Sequence, residues 1–106
     1  MKHFVVESTY RVPIEQMREV FPRHRAYLQT WYDQGLFLFS GPKNPPVGGF
    51  LIARAESVEV LEAIFAQDPF TTEGFATFTF TEFQPAKRQN WMEPWFTGTA
   101  APAGPA

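Results

Sequence analysis

Residues 76–83 read Ala-Thr-Phe-Thr-Phe-Thr-Glu-Phe, a near-strict alternation of hydroxyl and ring. On a strand, successive side chains point to opposite faces, so the segment is predicted as a strand with Phe78 and Phe80 on one face and Thr77, Thr79 and Thr81 on the other. A helix would scatter the same residues around its axis. The chain must therefore build a sheet that is dry on one side and semi-polar on the other. The rest of the chain has to supply the cover for the dry side.

Three further runs read as strands. Residues 3–10 hold Phe4, Val6 and Tyr10 on one face. Residues 36–40, Leu-Phe-Leu-Phe-Ser, are nearly all apolar, which predicts burial on both faces. Residues 50–55 return as a third strand after a loop rich in Pro and Gly at 41–49. Two helices lie between them. Ile14, Met17, Phe21, His24, Leu28 and Trp31 recur at three- and four-residue spacing and form one stripe, opened by Pro13 and closed by Gly35. Pro22 falls inside that stripe and predicts a kink or two abutting helices. Ser57 caps a second helix whose apolar face is Val60, Leu61, Ile64 and Phe65, and Pro69 ends it by Asp68.

The order is β-α-β-β-α-β, the plan of an α+β ferredoxin-like fold: a four-stranded antiparallel sheet with two helices on one face. The second face of that sheet carries Thr77, Thr79, Thr81 and some apolar residues of the first three strands. It is too apolar for water, so a partner sheet is expected to cover it, most simply that of a second copy in a homodimer. The pattern stops after Pro85. Residues 1–85 are therefore read as the domain, and 86–106 as a C-terminal aromatic arm and flexible tail. Trp91, Trp95 and Phe96 are expected to dock, because exposed clusters of large rings are rare on soluble monomers.

Composition narrows the function. The net charge of -2 and the absence of a basic stripe exclude a nucleic-acid binder. No apolar run approaches the roughly 20 residues of a membrane helix, and Glu7 interrupts the N-terminal run before it could serve as a signal peptide. The chain has no Cys, so thiolate chemistry and disulfides are out, and a cytoplasmic location is the default. No His/Asp/Glu set has metal-ligand spacing, so neither a metal nor a cofactor is expected.

Three residues remain with chemistry to offer. His24 lies on an apolar stripe, as either a core histidine bonded to backbone groups or a general acid or base. Asp68 sits at a predicted helix C-terminus, where the macrodipole is unfavourable to a carboxylate. It is therefore either a turn residue or the partner of a cation such as His24 or an arginine. Ser40 enters the Gly41-Pro42 turn, as ordinary turn chemistry or as a hydrogen-bond donor to a ligand; no nucleophile elbow surrounds it. Gly48-Gly49 reads as glycine required by backbone geometry, and His3 as an exposed residue near the chain start.

His24-Arg25-Ala26-Tyr27-Leu28, Gly35, Phe39-Ser40-Gly41-Pro42, Gly48-Gly49-Phe50 and Asp68-Pro69-Phe70 occur in an order and spacing that resembles the YciI-like (YCII-related) family of the dimeric α/β barrel superfamily. The resemblance runs from about residue 3 to residue 85. It implies a ferredoxin-like fold that dimerises sheet to sheet, and an active site using His24 and Asp68 with Ser40 nearby. Many relatives carry an Arg three residues before the His. Here Phe21 stands in that place, and Arg23 and Arg25 flank His24 instead. Some relatives resemble lyases or dehydrochlorinases of ring compounds, and related barrels include muconolactone isomerases.

The expected function is a small homodimeric lyase or isomerase acting without a cofactor on a small, cyclic, oxygenated metabolite. His24 and Asp68 form its acid–base pair, and Ser40, Arg25, Gly41 and Phe70 contact the substrate. The alternative is a non-catalytic ligand-binding or accessory domain using the same pocket. A free imidazole nitrogen facing the pocket favours the enzyme, whereas two protein-bonded nitrogens favour the binding module.

Overall fold

A computed structural model of the chain describes residues 1–98. Its elements run β1 (Lys2–Tyr10), α1 (Ile14–Asp33), β2 (Phe37–Pro42), β3 (Gly49–Ala55), α2 (Val58–Ala66), a short α3 (Pro69–Thr72) and β4 (Ala76–Phe83), followed by a 3-10 turn (Asn90–Met92) and α4 (Glu93–Phe96). The strands pair antiparallel in the order β2-β3-β1-β4. This is the ferredoxin-like arrangement, with β3 threaded between β1 and the hairpin edge β2.

The alternation that opened the sequence reading is realised over the whole of β4. Phe78 and Phe80 pack against the core and Thr77, Thr79 and Thr81 are exposed. Across the ladder Val6 faces Phe80 and Ser8 faces Phe78, so β1 lends Phe4, Val6, Ser8 and Tyr10 to the helix side. Two apolar clusters fill that side. One gathers Phe4, Val6, Leu28, Phe37, Leu51 and Phe65 with their neighbours; the other gathers Met17, Val20, Phe70 and Ala76. Full burial of each large side chain stabilises by about 1.5–3 kcal/mol, so rings this numerous can hold a small domain together.

Pro22 does not divide α1, which runs unbroken from Ile14 to Asp33. The proline is exposed, so the Arg18 carbonyl that lacks its N–H donor faces water. The helix ends as expected at Gly35, whose φ of 78° closes the cap. Its N–H donates to the Tyr32 carbonyl (2.9 Å) and that of Leu36 to Trp31 (3.0 Å), a paired closure that fixes the last turn.

Four further readings are corrected. Strand β2 is not buried on both faces: it is the sheet edge, and Phe39 is half exposed. On α2, Leu61, Ile64 and Phe65 are buried, but Val60 is exposed at 41%. α2 ends at Ala66, before Asp68 as expected, but Asp68 is not only a helix-end residue: it caps α3, its Oδ1 accepting from the Phe70 N–H at 3.0 Å with Pro69 at the first helical position. A helix N-terminus favours a carboxylate, so the expected electrostatic mismatch does not arise. His3 is not exposed; only 9% of it is accessible.

The arm explains that burial. Trp95 is buried, and with Phe96 and Phe83 it surrounds the His3 ring at centroid distances of 5.8, 5.2 and 6.5 Å respectively. The Trp95 indole N–H and the Arg54 Nε both donate to the Gly35 carbonyl at 2.9 Å, and a second Arg54 nitrogen donates to the Trp95 carbonyl. The arm is thus tied to the cap of α1 through β3. Trp91 does not share this docking; it is 76% exposed. The part of the expected tail from residue 99 onward lies outside the described residues.

Candidate active site

The two core clusters do not close on each other. A cavity of about 260 Å³ lies along their seam, walled by Val6, Leu28 and Phe65 of one and by Tyr10, Phe21 and Phe70 around the other. Protein interiors are close-packed, so an open, mostly apolar cleft of this size in so small a domain is the natural place to look for a ligand.

His24 reaches the cavity from the middle of α1. Its Nδ1 lies 2.8 Å from Asp68 Oδ1, and the Asp68 side chain is fully buried. Because a carboxylate only accepts, Nδ1 carries the proton and donates it. The neutral ring then holds its lone pair on Nε2, which has no hydrogen-bond partner among the described residues. The ring is clamped as well as tethered: it stacks on Phe70 at 3.7 Å between centroids and 4° between planes. One short segment, Asp68-Pro69-Phe70, thus supplies both the tether and the stacking surface. Asp68 Oδ1 is itself fixed by the Phe70 N–H, while its Oδ2 is buried without a partner.

Ser40 enters by a register change. From Phe37 to Ser40, β2 advances three residues while its partner moves from Ala53 to Leu51, only two. This bulge after Phe37 puts Phe37 and Ser40 on the same, helix-facing side. Without it, Ser40 would point to the opposite face. Ser40 stands exposed at the cavity mouth, and its Oγ lies 2.6 Å from the Tyr32 hydroxyl.

Gly41, Phe70 and Arg25 also line the cavity. Among the described lining residues, Arg25 alone carries a permanent positive charge; its guanidinium sits 5.8 Å from the Phe21 ring. None of the described lining residues is acidic. Burial raises the Tyr10 phenol above its usual range, so it is neutral. Gly48 and Gly49 act through close approach and not through φ: a Cβ on Gly48 would lie 1.8 Å from the Ser8 carbonyl oxygen. Among the described residues, no group of three or more His, Asp or Glu could hold a metal ion.

His24, Arg25, Ser40, Gly41 and Phe70 therefore line one cavity, with Asp68 behind its wall, whereas His3 lies away from it among the rings of the arm. Three participants were missed. Tyr10 and Phe21 were assigned only to hydrophobic faces, and Tyr32 was not considered. Tyr32 follows Trp31 on a helix that ends at Gly35, and nothing in its spacing marks it as a partner for the next strand.

The chain belongs to the YCII-related domain family, whose model matches residues 1–84. Among solved structures, it is similar to the 5-chloro-2-hydroxyhydroquinone dehydrochlorinase (TftG) from Burkholderia phenoliruptrix AC1100 in complex with 2,5-dihydroxybenzoquinone. The two share 24% identity with a TM-score of 0.67 over 77% of this chain and 93% of that one. It is also similar to SnoaB, a cofactor-independent oxygenase from Streptomyces nogalater, at 16% identity and a TM-score of 0.47 over 84% of this chain and 96% of that one. No curated protein matches in sequence. At these identities the likeness is one of fold.

Proposed function

We propose that this protein is a small-molecule lyase or isomerase that moves a proton on a compact, oxygenated ring compound. The observation that carries this reading is the His24–Asp68 pair at the cavity wall, with the Nε2 lone pair unclaimed by protein. A histidine with both nitrogens bonded to protein would have no lone pair to offer a ligand. Asp68 fixes the tautomer and stabilises the imidazolium that forms when Nε2 takes a proton. Such general-base catalysis typically contributes about 10²–10⁴ in rate. Arg25 and the absence of acidic lining residues favour an acidic or enolic ligand. The aromatic walls favour a flat one, with Phe70, Gly41 and Ser40 as contacts.

The ring compound printed for the structural neighbour, 2,5-dihydroxybenzoquinone, is the natural first probe. Calorimetric titration should show saturable binding at one site per chain, weakened by Arg25→Ala and by a space-filling Ser8→Leu. Turnover of 5-chloro-2-hydroxyhydroquinone, followed by chloride release, should vanish in His24→Ala. Probe binding without turnover of any ring substrate would favour a binding module, and absence of both would overturn the reading.

The working unit in this reading is a homodimer formed through the outer sheet face. Phe39 and Phe50 stack there at 6.5 Å and are 50% and 37% exposed, and the exposed threonines of β4 lie across β1 at the far edge of the sheet. Light scattering should give about twice the 12.1 kDa chain mass. Thr79→Lys should shift the particle toward monomer by burying an unpaired charge. A monodisperse wild-type monomer at micromolar concentration would overturn the assembly.

A further inference from the structure

Resting on the proposed function, we infer that Tyr32 is a positioning residue: it donates to Ser40 Oγ and so turns the Ser40 proton toward an oxygen of the bound ligand. The ligand class this requires carries a carbonyl, enolate or phenolate oxygen at the cavity mouth.

The geometry has three parts. The bulge after Phe37 brings Ser40 to the cavity side of the sheet. The last turn of α1 brings Tyr32 to the same place. Its backbone there is held by the Gly35 closure, and its ring meets Phe37 edge-on at 5.6 Å and 86°. The two hydroxyls then lie 2.6 Å apart, a short contact for a neutral pair.

Which of them donates follows from their chemistry. A phenol is the more acidic donor, and ring conjugation makes its oxygen the poorer acceptor. Partial burial holds the phenol protonated by raising it above its usual range, against an opposing effect of the Ser40 hydrogen bond. The Tyr32 proton is therefore committed to Ser40, and the Ser40 proton is left to donate outward. Hydrogen bonds in such a chain polarise one another and strengthen the terminal donor.

This places a donor on the same cavity as the base. When His24 Nε2 takes a proton from a carbon next to a carbonyl, the C–H electrons form the C=C bond and the carbonyl π pair moves to oxygen. That developing negative charge is what an aligned hydroxyl stabilises. Neither Ser40 nor Tyr32 changes protonation in the step.

Two measurements test the inference. The first needs no ligand. The Tyr32 ring-carbon titration, followed by NMR, should move to higher pH in Ser40→Ala, because the partner that opposes the burial shift is gone. An unchanged titration would overturn the pairing. The second is a double-mutant cycle on binding of 2,5-dihydroxybenzoquinone. Tyr32→Phe and Ser40→Ala should each weaken binding by about fivefold to tenfold, the worth of one hydrogen bond. The double variant should be no weaker than Ser40→Ala alone. A full Tyr32→Phe loss in the Ser40→Ala background would show that Tyr32 acts through something else and overturn the relay. If Tyr32 responds to Ser40→Ala but the wild type binds no probe, the ligand oxygen is refuted together with the proposed function, while the pair itself stands.

Discussion

The two histidines of this chain sit on opposite faces of one sheet, and their surroundings differ in every respect that governs a proton. His24 has a carboxylate at 2.8 Å and a stacked ring, and it lines a cavity. His3 has three aromatic rings around it, the cations Arg54 and Arg88 and the chain amino group acting on it, and a buried Nε2 without a partner. Burial is the largest effect on His3 and pulls it below its ordinary range, a backbone hydrogen bond at Phe96 opposing. One imidazole is oriented by a carboxylate, and the other is held neutral as a piece of the core. Residue type alone does not make an acid–base site; the partner on the second nitrogen does.

The largest effect on this contrast should come from the arm. Trp95→Ala removes a buried ring and the indole hydrogen bond to the Gly35 carbonyl, while the backbone carbonyl that accepts from Arg54 stays. Chemical denaturation should register a loss of about 3 kcal/mol. A loss below about 0.5 kcal/mol would show that the arm is peripheral and His3 solvated.

Next in size is the cavity side. Asp68→Ala strips the cap from α3 and the partner from His24, and should cost about 2 kcal/mol. Asp68→Asn keeps the one oxygen position that accepts from both the Phe70 N–H and His24 Nδ1, and should recover most of that stability without the charge. A loss as large as that of Asp68→Ala would assign the stability to the charge and not to the acceptor.

Smaller still is the pH dependence tied to His3. The folded chain holds this imidazole neutral, whereas the unfolded chain titrates near 6.5. Above that pH both states are neutral and the full stability is present. As pH falls below 6.5, the unfolded chain gains a proton that the folded chain refuses, so stability declines. The slope contributed is at most about 1.4 kcal/mol per pH unit, one proton's worth. Unfolding curves between pH 7 and pH 5 should be flatter in His3→Phe. An unchanged slope would assign the acid sensitivity elsewhere.

The strand and helix plan was readable because period and punctuation are local. The Thr/Phe alternation of 76–83 and the stripe from Ile14 to Trp31 each report on their own neighbourhood. What was not readable depends on pairs far apart in the chain. The all-apolar run at 36–40 does not reveal that β2 lies at an edge, since edge position is set by strand order. Nor does it mark the bulge that brings Ser40 inward, because the shift exists only against β3. Asp68 was recognised as needing a partner, but for an electrostatic reason that the short α3 removes. The docking of Trp95 on Gly35 joins residues 60 apart with no shared motif.

The most direct measurement is of the imidazole nitrogens themselves. In ¹⁵N-resolved NMR of the wild-type protein, with the histidines neutral, His24 should show its proton on Nδ1 and a bare Nε2, and Asp68→Ala, which removes the acceptor, should erode that preference. A His24 protonated on Nε2, or a tautomer indifferent to Asp68→Ala, would contradict the claim that this carboxylate sets His24 as the base of the cavity.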